Sequence, residues 1–156
     1  MTKKFLLIIC FFFSLTNCGY SPIYSQKTDS NFSITNLEID GNFQMKNIIE
    51  SRLNMSSVRD SSKKYELEIN TFYDRVSIVK DMKGTTTDLK LVANLNYSLV
   101  KSEINTMNLK ENGSFSESII IKKKENNYEQ NNYERIVIKS LSEQLANKLI
   151  FYLSNN

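Results

Sequence analysis

Residues 89–99 read LKLVANLNYSL, and their alternation decides what kind of layer this chain can build. Leu89, Leu91, Ala93, Leu95, Tyr97 and Leu99 fall on one face, and Lys90, Asn94, Asn96 and Ser98 fall on the other. A period of two is the mark of a β-strand. One apolar face and one polar face mark an antiparallel sheet covered on one side only. The strand reads from Thr85 to Lys101, and its neighbours can be placed against it.

Before it, Lys80–Gly84 is a turn. Tyr65, Leu67, Ile69 and Thr71 alternate with Glu66, Glu68 and Asn70 in a second strand. From Phe72 the apolar positions become even (Phe72, Val76, Ile78), which predicts a β-bulge or sharp twist near Tyr73–Asp74. After the central strand, Ser102–Asn105 turns the chain. Met107, Leu109, Phe115, Ile119 and Ile121 then give a further strand, with Glu111 and Gly113 interrupting its inner face. Asn112-Gly113 could close a two-residue hairpin. A bulge or kink in one long strand is preferred, because a hairpin leaves two short, weakly patterned pieces.

The flanks carry helical spacing. Phe32–Asp40 is rich in β-branched and aromatic residues and reads as a first strand. Asn42 is placed to cap a helix over 43–56, with Phe43, Ile48, Ile49, Leu53 and also Met45 and Met55 at helical intervals. Val137, Leu141, Leu145, Leu149 and Tyr152 or Leu153 form the stripe of a last helix over about 129–153, widened by Ile136, Ile138 and Ile150, after the charged loop 122–132. The predicted fold is an α+β two-layer sandwich: a four-stranded, mostly antiparallel sheet covered by two helices, in the order β-α-β-β-β-α.

The chain has 156 residues, no His, two Cys, four Gly and one Pro. Without histidine, Ser-His-Asp and Cys-His catalysis and His-bearing metal sites are excluded. Both cysteines, Cys10 and Cys18, lie near the start, which excludes a Cys-rich metal site. No paired acids fall at matched strand ends, so neither catalytic residues nor a metal site is expected and the reading is non-enzymatic.

The first residues read as an address. Lys3 and Lys4 precede the apolar run Phe5–Leu15, which is too short for the roughly 20 residues of a membrane-spanning helix. Residues 1–17 are expected to be a signal peptide, 18–31 a tether and 32–156 the domain. Cleavage before Cys18 removes two of the 20 basic side chains and none of the 17 acidic ones. The remainder is nearly neutral and has no electrostatic footprint for nucleic acid.

Leu15-Thr16-Asn17-Cys18 resembles the lipobox of bacterial lipoproteins, with Asn17 where that family has a smaller residue. The resemblance implies that Cys18 carries diacylglycerol and an N-acyl chain, with no other cofactor; Gly19 after it implies outer-membrane placement. A plain secretory peptide with Cys18 as filler is the alternative. Cys18-Gly19-Tyr20-Ser21-Pro22-Ile23-Tyr24, the strand Leu89–Leu99, Gly113 and the segment Leu145–Leu149 together resemble the α-proteobacterial form of the lipopolysaccharide-assembly lipoprotein LptE. That resemblance implies a non-enzymatic plug and assembly partner of the outer-membrane β-barrel LptD, in lipopolysaccharide transport to the outer membrane. It makes Lys80, Lys83, Lys122, Lys123 and Lys124 the candidate lipopolysaccharide contacts, as point charges toward phosphate. The plainer reading of both lysine groups is a solvated loop tip. The polar strand faces suit a barrel lumen and suit solvent equally. The competing reading is a stand-alone periplasm-facing lipoprotein that binds an envelope ligand.

Overall fold

A computed structural model describes residues 31–59, 61–101 and 110–156. The signal, Cys18, the tether as far as Ser30, the Ser102–Asn105 turn, Met107 and Leu109 lie outside the described residues. Six elements follow in order: β1 (Phe32–Gly41), α1 (Phe43–Ser56), β2 (Lys63–Lys80), β3 (Thr86–Lys101), β4 (Lys110–Lys122) and α2 (Asn127–Asn155). The strands lie side by side in chain order. β1 pairs with β2 in parallel, while β2–β3 and β3–β4 are antiparallel. The sheet is therefore mixed and mostly antiparallel, as expected.

α1 starts where two local signals place it. Asn42 is extended, and its side-chain oxygen accepts from the N–H groups of Gln44 (3.1 Å) and Met45 (3.2 Å). These are donors that a helix start cannot satisfy internally. Gly41 has φ +103°, and a Cβ there would lie 2.8 Å from Thr71 Oγ1, so glycine is required at this exit from β1.

α1 returns the chain to the start of β2, as a parallel pair requires. It lies alongside α2, with Gln44 Nε2 donating to the Arg135 carbonyl (2.8 Å) and Arg52 paired to Glu143 (3.2 Å). The ascending numbers on both helices show that they run the same way. The two form one layer over one face of the sheet.

Between the layers lies the core. Leu91, Leu95 and Leu99 of β3 meet Leu145, Leu149 and Leu153 of α2, with Leu67 of β2 and Ile49 and Leu53 of α1, all fully buried. In α1 the buried stripe is Met45, Ile49 and Leu53; Phe43 and Met55, expected inward, are exposed. Ile136 of α2 is exposed as well, whereas Ile138 and Ile150 are buried.

Two expectations are corrected. β2 pairs with β3 without interruption from Tyr65↔Lys101 to Ser77↔Leu89, and the irregularity comes later, at Ile78. Tyr73 and Arg75 thus keep to the helix-facing side, and Phe72 and Val76 turn to the open face. β4 has neither a hairpin nor a bulge at Gly113, which pairs directly with Tyr97. The Tyr97 ring lies against Gly113 in the space a side chain there would need, and it stacks on Phe115 (5.5 Å between centroids).

Candidate functional site

Every strand residue that does not face the helices faces outward, and no element covers that side among the described residues. Residues directly opposite on neighbouring strands share a face, so the pairing converts the sequence into rows across this open side. Glu38, Glu68, Ser98 and Asn112 form one row, and Asp40, Asn70, Asn96 and Ser114 form the next. These rows line an open groove of about 730 Å³ that crosses all four strands. Three of the eight side chains are carboxylates. Lys110 offsets one of them, at 3.6 Å from Glu68.

Farther along, the rows change character. β1 ends opposite Thr71, and β2 and β3 continue as a hairpin beyond it. Val76, Lys90 and Ile120 make one row there, next to Asp74, Val92 and Ser118. Phe72, Val76 and Ile120 are 45, 47 and 60% exposed, so this end of the open face is apolar and water-facing.

The candidate lysines gather at the same end. Lys80 closes β2, Lys83 sits in the turn, and Lys122 closes β4. Lys123 N donates to the Thr87 carbonyl (2.8 Å), which ties the end of β4 to the start of β3 beside that turn. Lys124 N donates to Gln130 Oε1 (2.7 Å), and its ammonium lies 5.5 Å from the centre of the Tyr133 ring. The fold thus brings together two lysine groups that are far apart in sequence. All five side chains are exposed. Lys90 joins them from the open face, and no local pattern distinguishes it from the other polar residues of its strand.

Beneath this end, on the helix side, lies a polar network. Glu134 of α2 is buried and accepts from Gln130 Nε2 (2.6 Å), Arg75 Nη1 (3.0 Å) and the Tyr73 hydroxyl (3.4 Å). Burial, then the Glu134 charge, push the Tyr73 hydroxyl up to about 12. The network fastens the start of α2 to the hairpin. It was not legible in sequence, since Glu134 looks like any charge in a polar stretch.

Among the described residues, no three His, Cys, Asp or Glu side chains come together as metal ligands. No described helix is long and apolar enough to cross a membrane.

No family model matches the sequence, and no curated protein matches it. The fold does have solved counterparts. A rare lipoprotein B from Shewanella oneidensis superposes with a TM-score of 0.62 at 8% identity, over 79% of this chain and 94% of that one. A lipoprotein B from Nitrosomonas europaea gives 0.56 at 8%, over 84% and 90%. A minor lipoprotein from Acinetobacter baumannii gives 0.55 at 11%, over 81% and 92%. The chain has the fold seen in these bacterial lipoproteins, spanning nearly the whole of each.

Proposed function

We propose that the chain is an LptE-type outer-membrane lipoprotein, anchored through lipid on Cys18, and that it acts as plug and assembly partner of an LptD-like β-barrel in lipopolysaccharide transport. The observation that carries this reading is the fold itself. A lipoprotein-like start in the sequence leads into a sandwich that covers 94% of a rare lipoprotein B at a TM-score of 0.62. The role is non-enzymatic. Its working parts are surfaces.

The open face suits a plug. A barrel of this kind has a polar interior, and the groove rows offer carboxylates, amides and hydroxyls that can exchange hydrogen bonds with such a wall. β2 alone extends for about 55 Å at the rise of a strand. That exceeds the roughly 30 Å of a bilayer's hydrocarbon core, so a sandwich anchored near Phe32 can present its hairpin end far across a barrel. Lys80, Lys83, Lys122, Lys123 and Lys124 would there meet the phosphates of lipopolysaccharide as point charges.

Purification from outer membranes in mild detergent tests the reading. A stable one-to-one complex with a large β-barrel is the expected result, and recovery of the chain with no barrel overturns it. Cys18→Ala should release the protein from the membrane fraction and abolish the mass added by lipid. Unchanged fractionation with no lipid mass on the parent chain rejects the anchor.

A further inference from the structure

Five of the large apolar side chains exposed among the described residues lie toward the hairpin end of the sheet. Val76, Ile78, Val79 and Met82 come from the end of β2 and its turn, and Ile120 of β4 lies in the row of Val76; Phe72 sits farther back on the open face, and Ile119, opposite Leu91, lies on the helix-facing side. Met82 is the extreme case, at 108% exposure on the apex of the turn. The apex is preformed. Asp81 Oδ1 accepts from the N–H groups of Lys83 (2.9 Å) and Thr85 (2.8 Å), and Gly84 N donates to the Asp81 carbonyl (3.0 Å). Gly84 takes φ +78°, a value suited to glycine, which completes the turn without strain. Around this apolar tip stand Lys80, Lys83, Lys90, Lys122, Lys123 and Lys124, against the acids Asp74, Asp81, Asp88 and Glu125.

An exposed apolar patch of this kind marks a contact surface, and its cationic surround selects an anionic partner. We propose that the hairpin tip docks on an anionic lipid bilayer, Met82 entering the boundary between headgroups and acyl chains while the lysines meet lipid phosphates. The tip's convex shape favours a surface over a single bound molecule. Met82 is fully exposed with no walls around it, and the strand groove and a cavity beside Phe151 of α2 lie elsewhere. A bilayer supplies the missing walls. Apolar insertion combined with basic residues is the general physics of interfacial binding, and each lysine near such a surface changes partitioning about fivefold. The proposal does not rest on the plug reading; it requires that the tip stand clear of any barrel wall.

The chain contains no tryptophan, so Met82→Trp places a single emitter at the apex, and Phe43→Trp on the helix layer serves as control. The full-length chain with either change is reconstituted into vesicles of phosphatidylcholine, with or without phosphatidylglycerol, and emission and quenching by brominated acyl chains are recorded. With phosphatidylglycerol present, the tryptophan at position 82 should shift to the blue and be quenched, while the one at 43 stays water-like. The response should vanish near 1 M salt, where the screening length falls to about 3 Å. It should also vanish when Lys80, Lys83, Lys122, Lys123 and Lys124 are all changed to Gln. Water-like emission from position 82 in both vesicles overturns the proposal, as does a response that ignores the anionic lipid. A response only to dispersed phosphorylated glycolipid overturns it too and assigns the tip to single lipid molecules. The quintuple variant should still co-purify with a barrel if the plug reading holds, which separates the two failures.

Discussion

The ring of Tyr97 occupies the space beside Gly113 that any larger residue at 113 would claim. A Cβ on Gly113 would fall 2.5 Å from Tyr97 Cζ and 2.8 Å from Cε1. The ring cannot simply swing aside, because it stacks on Phe115 and tilts against Tyr152, with both centroids 5.5 Å away. Gly113→Ala should therefore destabilise the domain by about 1–3 kcal/mol, the usual cost of overpacking. Tyr97→Leu should remove part of that penalty when the two changes are combined. Chemical denaturation of the four members of this cycle checks it, and strictly additive losses would show that the ring is not what excludes the methyl.

Glu134 should be the costliest polar residue to lose at the helix–sheet boundary. Its side chain is only 9% exposed, while the Arg75 partner is half exposed, so water weakens the ion pair itself. The larger effect comes from Gln130, which is buried and loses its acceptor. Glu134→Ala is expected to cost about 2–3 kcal/mol by this route, and Arg75→Ala no more than about 1 kcal/mol. Urea midpoints measured side by side test that order. An Arg75 effect as large as that of Glu134 would show the ion pair to be dominant.

The architecture was legible where one local rule and one global rule agree. Leu89–Leu99 alternates cleanly because its apolar face meets the helices throughout, and Asn42 caps α1 through atoms two and three residues away. The errors share a cause. Phe72 and Val76 were expected inward, so their even phase implied a bulge; instead the register holds and both residues face out. Gly113 suggested a break, yet the space it leaves is filled from the neighbouring strand by Tyr97, a contact no local pattern reports. Of the candidate site, the sequence supplied the lysines but not their meeting, which depends on Lys123 bonding to the start of β3. The apolar tip around Met82 and the Glu134 network became visible only with the register in hand.

Asn42 offers a direct test of how far local signals carry the fold. Its side-chain oxygen serves two otherwise unpaired N–H groups at the start of α1. Asn42→Ala should lower stability by about 1 kcal/mol, and Asn42→Asp should recover most of it, since aspartate caps as well as asparagine. Thermal melts of the three proteins decide this, and an Asp variant as weak as the Ala variant would argue against the capping bond.

The alkaline limb of stability should report on Tyr73. Its hydroxyl titrates near 12 in the folded domain against 10.0 for an ordinary tyrosine, because burial and then the Glu134 charge disfavour the phenolate. The folded value is the higher one, so the neutral form is favoured by folding. That contribution is complete below pH 10 and is lost as pH rises from 10 through about 12. Tyr152 acts in the same sense: its hydroxyl is raised chiefly by the bond to Glu111, then by burial. The slope of the parent alone does not assign the effect to one residue. The comparison that does is Tyr73→Phe, which should flatten the fall in unfolding free energy across this window while leaving Tyr152 in place. Equal slopes for the parent and Tyr73→Phe would show that Tyr73 ionises as freely in the folded domain as in the unfolded chain.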